Sequence, residues 1–333
     1  MLFFIVCACF ALFPEKVLAG ASEGLLLCIN AIIPSLLPFM LISTCLIKSH
    51  FSRPMGRVLS KVITPITGIS PCGCTCLVTG LIGGYGAGVN AVMQCRNEGQ
   101  ISQKEAEAIL GVCNNAGPLF VIATVGIKFL SSEKSGIMLF AVQVLSALIC
   151  GAIFSVSYKT EETKLKDEWI FYKKNKPPFG SLIAQSAAAS GSAIISVCVF
   201  VISFSAVLEI LNAGEYPIIA GVLEVMRGCS ELAKGGRAAL PLISAALSWG
   251  GLSVHLQANS ICGGRLSMKK YYISKALSAL ISYCLTAFFF CDIYIILSTL
   301  VLVAAAGALV FIFKNLFGKE LLRQHGFRQR RHS

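Results

Sequence analysis

The residues best placed to do chemistry are amides, glycines and one carboxylate, all set inside apolar stretches. Cys113-Asn114-Asn115-Ala116-Gly117-Pro118 puts two side-chain amides in the middle of a hydrophobic run. Each is expensive there unless it bonds something, so the pair is either interhelical glue or part of a binding site. Ser248, Gln257 and Asn259 interrupt a later apolar segment in the same way. Glu224 stands in Gly221-Val222-Leu223-Glu224-Val225. A carboxylate in such a stretch is a functional candidate by default, and the chemistry open to it is carriage of a coupling proton or of a cation. The structural alternative is an ion pair with Arg227 one turn on. Residues 80–90 read Gly-Leu-Ile-Gly-Gly-Tyr-Gly-Ala-Gly-Val-Asn, with five glycines in nine positions. Each glycine costs a helix about 1 kcal/mol relative to alanine, so the cluster marks backbone that breaks or is closely approached. In a membrane, broken backbone is tolerated only where protein or a watery cavity satisfies its polar groups.

Together these residues describe a binding site in a carrier. Half-helix ends at mid-membrane favour an anion through their N–H groups. The expected substrate contacts are backbone at Gly83, Gly84, Gly86 and Gly88, the ring and hydroxyl of Tyr85, and the amides of Asn90, Asn114 and Asn115. Ser248, Gln257 and Asn259 add contacts from the second half, and Glu224 couples a proton. The ligand that suits them is a small anionic solute, with a proton or sodium ion as the coupling partner and the lipid bilayer as the surroundings.

Other chemistries are poorly supported. The histidines are His50, His255, His325 and His332, and only His255 is at membrane depth. There is no His-Glu-x-x-His, Gly-x-Ser-x-Gly or Walker pattern, so neither an enzyme nor an ATP-driven pump is expected, and no cofactor. Cys72-Gly73-Cys74-Thr75-Cys76 has thiols at alternate positions that suit a soft metal, but no second cysteine pair or histidine accompanies it, and no metal is expected. Many of the other cysteines (Cys28, Cys45, Cys150, Cys198 and Cys284) lie in apolar runs, where thiols act as small hydrophobes rather than a disulfide scaffold. The chain is 56% hydrophobic and 13% charged, against about 25% charged residues in a soluble domain, so it is read as polytopic. Its net charge of +12 is carried mostly in loops beside apolar segments, the positive-inside pattern rather than a nucleic-acid footprint. The oligomeric state is not legible.

The elements that must position these groups follow from the breakers. Residues 2–13 make a short or truncated first span, the alternative being a signal-like segment. Residues 25–47 span, with Asn30, Pro34 and Pro38 either kinking a helix that its neighbours patch or opening the backbone near a site. Residues 48–61 form a basic loop, and 62–94, punctuated by Pro65, Gly68, Pro71 and the glycines, form a re-entrant hairpin. A capping box at Ser102 and Glu105 starts a helix that runs through 108–130. Residues 136–158 span, and a charged loop at 159–178 divides the chain. The second half repeats the order with a span at 182–211, a short apolar segment at 217–232, and spans at 240–261, 271–290 and 293–313. With the basic loops inside, the stretches 25–158 and 181–290 each hold three spans and one hairpin, so they have opposite orientation. The expected fold is an all-α polytopic membrane protein with about eight transmembrane helices and two re-entrant hairpins in an inverted repeat. Its divisions are 1–24, a first repeat at 25–158, a cytoplasmic loop at 159–180, a second repeat at 181–290, and a last span with a basic tail at 291–333.

Four stretches in this order resemble the YlbJ-type sporulation membrane proteins, within the wider group that shares the nucleoside-recognition Gate domain of concentrative nucleoside transporters. They are Ile33-Pro34-Ser35-Leu36-Leu37-Pro38-Phe39, Thr79 with the glycine cluster, Cys113 to Phe120 with Thr124-Val125-Gly126, and Gly221 to Val225. The family's usual Ser-Gly-Tyr-Pro reads Gly83-Gly84-Tyr85-Gly86 here, without the proline. The resemblance implies a role in endospore formation, with export of dipicolinic acid across the outer forespore membrane as the transport. The competing implications are a membrane scaffold for spore assembly and a nucleoside-type transporter.

Overall fold

A computed structural model describes residues 8–48, 52–97, 99–155, 178–212 and 215–290. The start of the first span, most of the central loop, the span at 293–313 and the basic tail lie outside the described residues. Every element among the described residues is helical.

Helix α1 (Pro14–Leu27) passes through a π-wound turn at Cys28–Ile32 into α2 (Ile33–Lys48). Residues 14–24, expected in a connecting loop, are therefore helical. The axis bends by 54° between Pro14–Ile32 and Leu36–Ile42. Pro34 has no N–H to offer the carbonyl of Asn30 four residues back, and Lys128 Nζ donates to that carbonyl instead, at 2.8 Å. Of the two readings of this segment, the structure supports the kinked helix patched by a neighbour. Gly20 and Gly24 let α1 lie directly on the backbone of the long helix Phe179–Ile210 at Ile202, Ser205 and Ala206.

Helix α3 (Ser52–Thr67) carries Val58, Val62 and Ile66 as an exposed apolar stripe, with Arg57 and Lys61 beside it, and so reads as lying in the membrane–water interface. Gly68, at φ 68°, turns the chain by 106° into α4 (Pro71–Gly83). The first hairpin is α4 with α5 (Ala87–Asn97), its tip made by Gly84 and Gly86 at φ 78° and 81°. It starts at Pro71 rather than at residue 62, because the apolar character of α3 runs on into it and hides the boundary. Ser102 caps α6 (Gln103–Cys113) by accepting the Glu105 N–H at 3.1 Å. Glu105, expected to reach back to Ser102, instead accepts the Ser70 N–H at 3.1 Å and ties the start of α4 to α6.

The helix expected to run through 108–130 is interrupted. Residues 114–117 are not helical, and a π-wound helix, α7 (Leu119–Phe129), follows. Then α8 (Glu133–Ser155) returns. The second half has α9 (Phe179–Ile210), a hairpin of α10 (Pro217–Leu223) and α11 (Val225–Ala233), an interrupted pair α12 (Leu240–Trp249) and α13 (Gly251–Cys262), and α14 (Lys269–Phe290). Each half thus runs span, hairpin, interrupted helix, span. Among the described residues four helices are long and apolar enough to cross a membrane, or up to six if each bent pair is one span, against the eight expected. The shortfall has a physical cause: the helix pair around Asn114 falls in two pieces too short to count, and two of the expected spans reach into residues outside the description.

Candidate functional site

The first hairpin docks on the break between α6 and α7. Gly80 and Gly88 face each other across its arms, and the Cys113 carbonyl lies against both, where a β-carbon on either would collide with it. Past the end of α6, Asn114 bridges two elements. Its Oδ1 accepts the Gly86 N–H at 2.8 Å, and its Nδ2 donates to Tyr271 Oη on α14 at 2.9 Å. Tyr85, at the tip, donates its hydroxyl to the Leu247 carbonyl near the end of α12, and its ring lies beside Gly250.

The second hairpin docks on the break between α12 and α13. Gly221 and Gly228 touch across its arms. Glu224 sits extended at its tip, 1% exposed, and its carboxylate caps α11 by accepting the Arg227 N–H at 2.7 Å. Gly251 packs on the Glu224–Val225 backbone. Gly250 and Gly251 both take positive φ (89° and 77°), a conformation that costs glycine nothing and other residues strain. The two hairpin tips therefore meet at one pair of glycines.

The guanidinium of Arg227 turns to Glu23 on α1, Glu231 at 3.4 Å and Glu209 at 3.9 Å, and Lys234 pairs with Glu231 at 2.5 Å. These contacts bear on the topology. With the basic loops inside, Arg227, Lys234 and Arg237 would fall on the outer side; Arg227 and Lys234 are matched by carboxylates, while Arg237 is exposed.

Lys275 is a residue that the sequence pattern does not single out. By position it closes a basic loop, yet it lies inside α14, fully buried, with Nζ donating to the Asn114 carbonyl at 2.8 Å and 6.0 Å from the centre of the Tyr85 ring. Among the described residues no carboxylate pairs with it. His255 joins the same cluster, with Nδ1 3.1 Å from Tyr271 Oη. A readable signal exists: Tyr271, Ser274, Lys275, Ser278, Ser282 and Thr286 recur at three- and four-residue steps on α14, and all are buried. A polar stripe at helical spacing inside an apolar run faces the protein interior, not lipid.

The remaining expected contacts separate. Asn115 is buried, donating to Val112 O at 2.6 Å while its Oδ1 has no partner. Ser248 belongs to a hydroxyl chain across α12, α14 and α8, with Ser248 to Ser282 at 2.5 Å, Ser282 to Ser146 at 2.8 Å and Ser146 to Ser278 at 3.0 Å. Asn90 and Asn259 are exposed and Gln257 is half-buried, on the surfaces of α5 and α13. The fold thus brings Gly84, Tyr85, Gly86, Asn114 and Glu224 to the junction and leaves Asn90, Gln257 and Asn259 off it. Ser253 Oγ and His255 Nε2, within one turn of Gly250 and Gly251 in sequence, are buried without protein partners. Such atoms are what a polar ligand satisfies.

Asn114→Ala is expected to destabilise more than Asn115→Ala. It strips partners from the Gly86 N–H and the Tyr271 hydroxyl, at about 1–3 kcal/mol for a buried group left unpaired. Thermal unfolding of both variants in the same detergent checks the order.

These features define a class: a polytopic helical membrane protein whose two hairpins and two interrupted helices bring their backbone breaks together. The chain resembles a sporulation membrane protein in sequence. It is 24% identical over 306 residues to the sporulation integral membrane protein YlbJ of Bacillus subtilis (strain 168), covering 79% of this chain and 75% of that protein. No family model matches the chain, and no solved structure does.

Proposed function

We propose that the chain is a carrier for a small anionic solute, working in sporulation, with dipicolinic acid moved across the outer forespore membrane as the leading candidate. The observation that supports this most directly is the meeting of both hairpin tips at Gly250 and Gly251, beside a buried lysine that no carboxylate neutralises among the described residues. Discontinuous helices that meet at mid-membrane are where secondary carriers hold substrate and coupling ion. The two halves, with the same order of elements and an odd number of spans each, act as inverted repeats that rock about this junction. Lys275, Tyr85 and the Asn114 amide supply an anion with charge, an aromatic face and hydrogen bonds. Glu224, at the opposite tip, carries the coupling proton. The sporulation role rests on the likeness to YlbJ.

Purified protein in liposomes tests the reading. Saturable, gradient-driven uptake of labelled dipicolinate is expected, with uridine transported poorly because a neutral solute gains little from Lys275. Uridine uptake exceeding dipicolinate uptake, or no uptake of either, rules out the anion carrier.

Glu224→Gln isolates the coupling role. Glutamine keeps an oxygen to accept the Arg227 N–H, so protein abundance is expected to hold while proton-driven uptake is lost. A fall in abundance with unchanged activity per molecule would reduce Glu224 to a helix cap.

A further inference from the structure

The cysteine-rich first arm of hairpin α4–α5 contains a constellation that the carrier reading does not use. In a helix, residues four apart share a face, whereas a residue two along lies nearly opposite. Cys72 and Cys76 accordingly face α5, and Cys74 turns away, its Sγ 3.8 Å from Thr64 Oγ1 on α3. The partner that the sequence pattern lacked comes from the other arm. Cys95 Sγ lies 2.9 Å from Cys72 Sγ and 3.5 Å from Cys76 Sγ, and all three sulfurs fall within 4.8 Å of one another. Gln100 Oε1, from the turn before α6, is 3.2 Å from Cys72 Sγ. The three cysteines form a buried cluster, and the partial exposure of Cys95 and of Gln100 places its nearest way out at the hairpin base.

We propose that Cys72, Cys76 and Cys95 form a zinc site at the base of the first hairpin, with Gln100 Oε1 at the fourth position. Three thiolates and one oxygen make a tetrahedral set suited to a borderline-soft d10 cation. Zinc–sulfur bonds of about 2.3 Å at tetrahedral angles set sulfurs about 3.8 Å apart, so the closest pair need part by only about 1 Å. The alternative use of such a pair is a Cys72–Cys95 disulfide. Against it weighs the convergence of a third thiol and an amide oxygen on the same point, and, with the basic loops inside, Arg96 and Lys104 put the hairpin base on the side where thiols stay reduced. The ion would clamp the two arms and the following turn at the base and so hold the glycine tip in register with Asn114. Each bound zinc displaces the thiol protons that its ligands carry, and no electron changes hands.

The test uses the full chain purified in detergent under reducing conditions. Titration with Zn2+ against a chromophoric chelator is expected to show about one tight site per chain. Co2+ in its place should give thiolate-to-cobalt charge-transfer absorption. Cys76→Ser and Cys95→Ser are expected to weaken zinc binding more than about 100-fold, beyond what loss of a supporting residue does, while Cys74→Ser binds like the parent. Because a serine variant can fail to fold, maleimide labelling of the parent chain runs alongside, with zinc expected to protect Cys95. The proposal is overturned by equal losses in Cys74→Ser and Cys76→Ser, by labelling of Cys95 that zinc does not slow, or by a Cys72–Cys95 disulfide in protein alkylated at lysis.

Discussion

Lys275→Met is expected to abolish anion uptake while leaving the protein as stable as the parent or more so. An ammonium in a fully buried position carries a desolvation penalty of several kcal/mol. Its hydrogen bond to the Asn114 carbonyl returns about 1.5–3 kcal/mol. Methionine removes the penalty and fills similar volume with an unbranched, adaptable chain. Stability therefore rises or holds, because the desolvation penalty that disappears outweighs the hydrogen bond that is lost. Function moves the other way. A unit charge about 4 Å from a carboxylate at an effective dielectric of 20 is worth about 4 kcal/mol, so its loss weakens anion binding by roughly a thousandfold. Thermal unfolding and equilibrium binding of dipicolinate on the same preparations separate the two effects. Unchanged affinity would remove Lys275 from the site, and a collapse in unfolding temperature would make it a structural residue.

Gly88→Ala, and equally Gly80→Ala, is expected to strip most of the folded protein from the membrane. In an ordinary helix the change gains up to about 1 kcal/mol. Here the added methyl meets a backbone carbonyl, that of Cys113, which cannot swing aside as a side chain can. Relief requires the end of α6 to move, and that pulls Asn114 off both Gly86 and Tyr271. Overpacking of about 1–3 kcal/mol is thus compounded by unpaired buried groups of similar cost. Gly191→Ala is the control, since nothing lies within 4 Å of the methyl it would add; its yield should match or exceed the parent. Fluorescence-detected size exclusion across the three variants reads the outcome. Full recovery of Gly88→Ala would mean that the hairpin does not dock on α6 as described.

The parts of this architecture that are legible in the sequence are those governed by a few neighbouring residues. The glycine cluster announces a broken backbone through local conformational preference, and the first hairpin tip forms there, whereas the break at 114–117 falls inside a stretch that reads as one helix and Glu224 stands out only as a carboxylate among apolar residues. The order of span, hairpin, span and span follows from the same punctuation, but the interruptions at 114–117 and at Gly250 within two of those spans do not. Boundaries are less legible. Apolar α3 merges with the hairpin in composition, and only a turn at Gly68 separates them. Lys275 is obscured by the basic residues just before it, although the polar stripe of α14 marks it as inward-facing.

What the sequence by itself determined is therefore the break at the first hairpin and which side chains are too polar for their surroundings, because glycine acts within a turn of itself and a polar group is costly in any apolar run. What only the tertiary structure decided is which breaks meet. Tyr85 reaching Leu247, Lys275 reaching Asn114 and Cys95 closing on Cys72 join segments up to 162 residues apart. Those pairings depend on how whole helices pack, and no local preference encodes them.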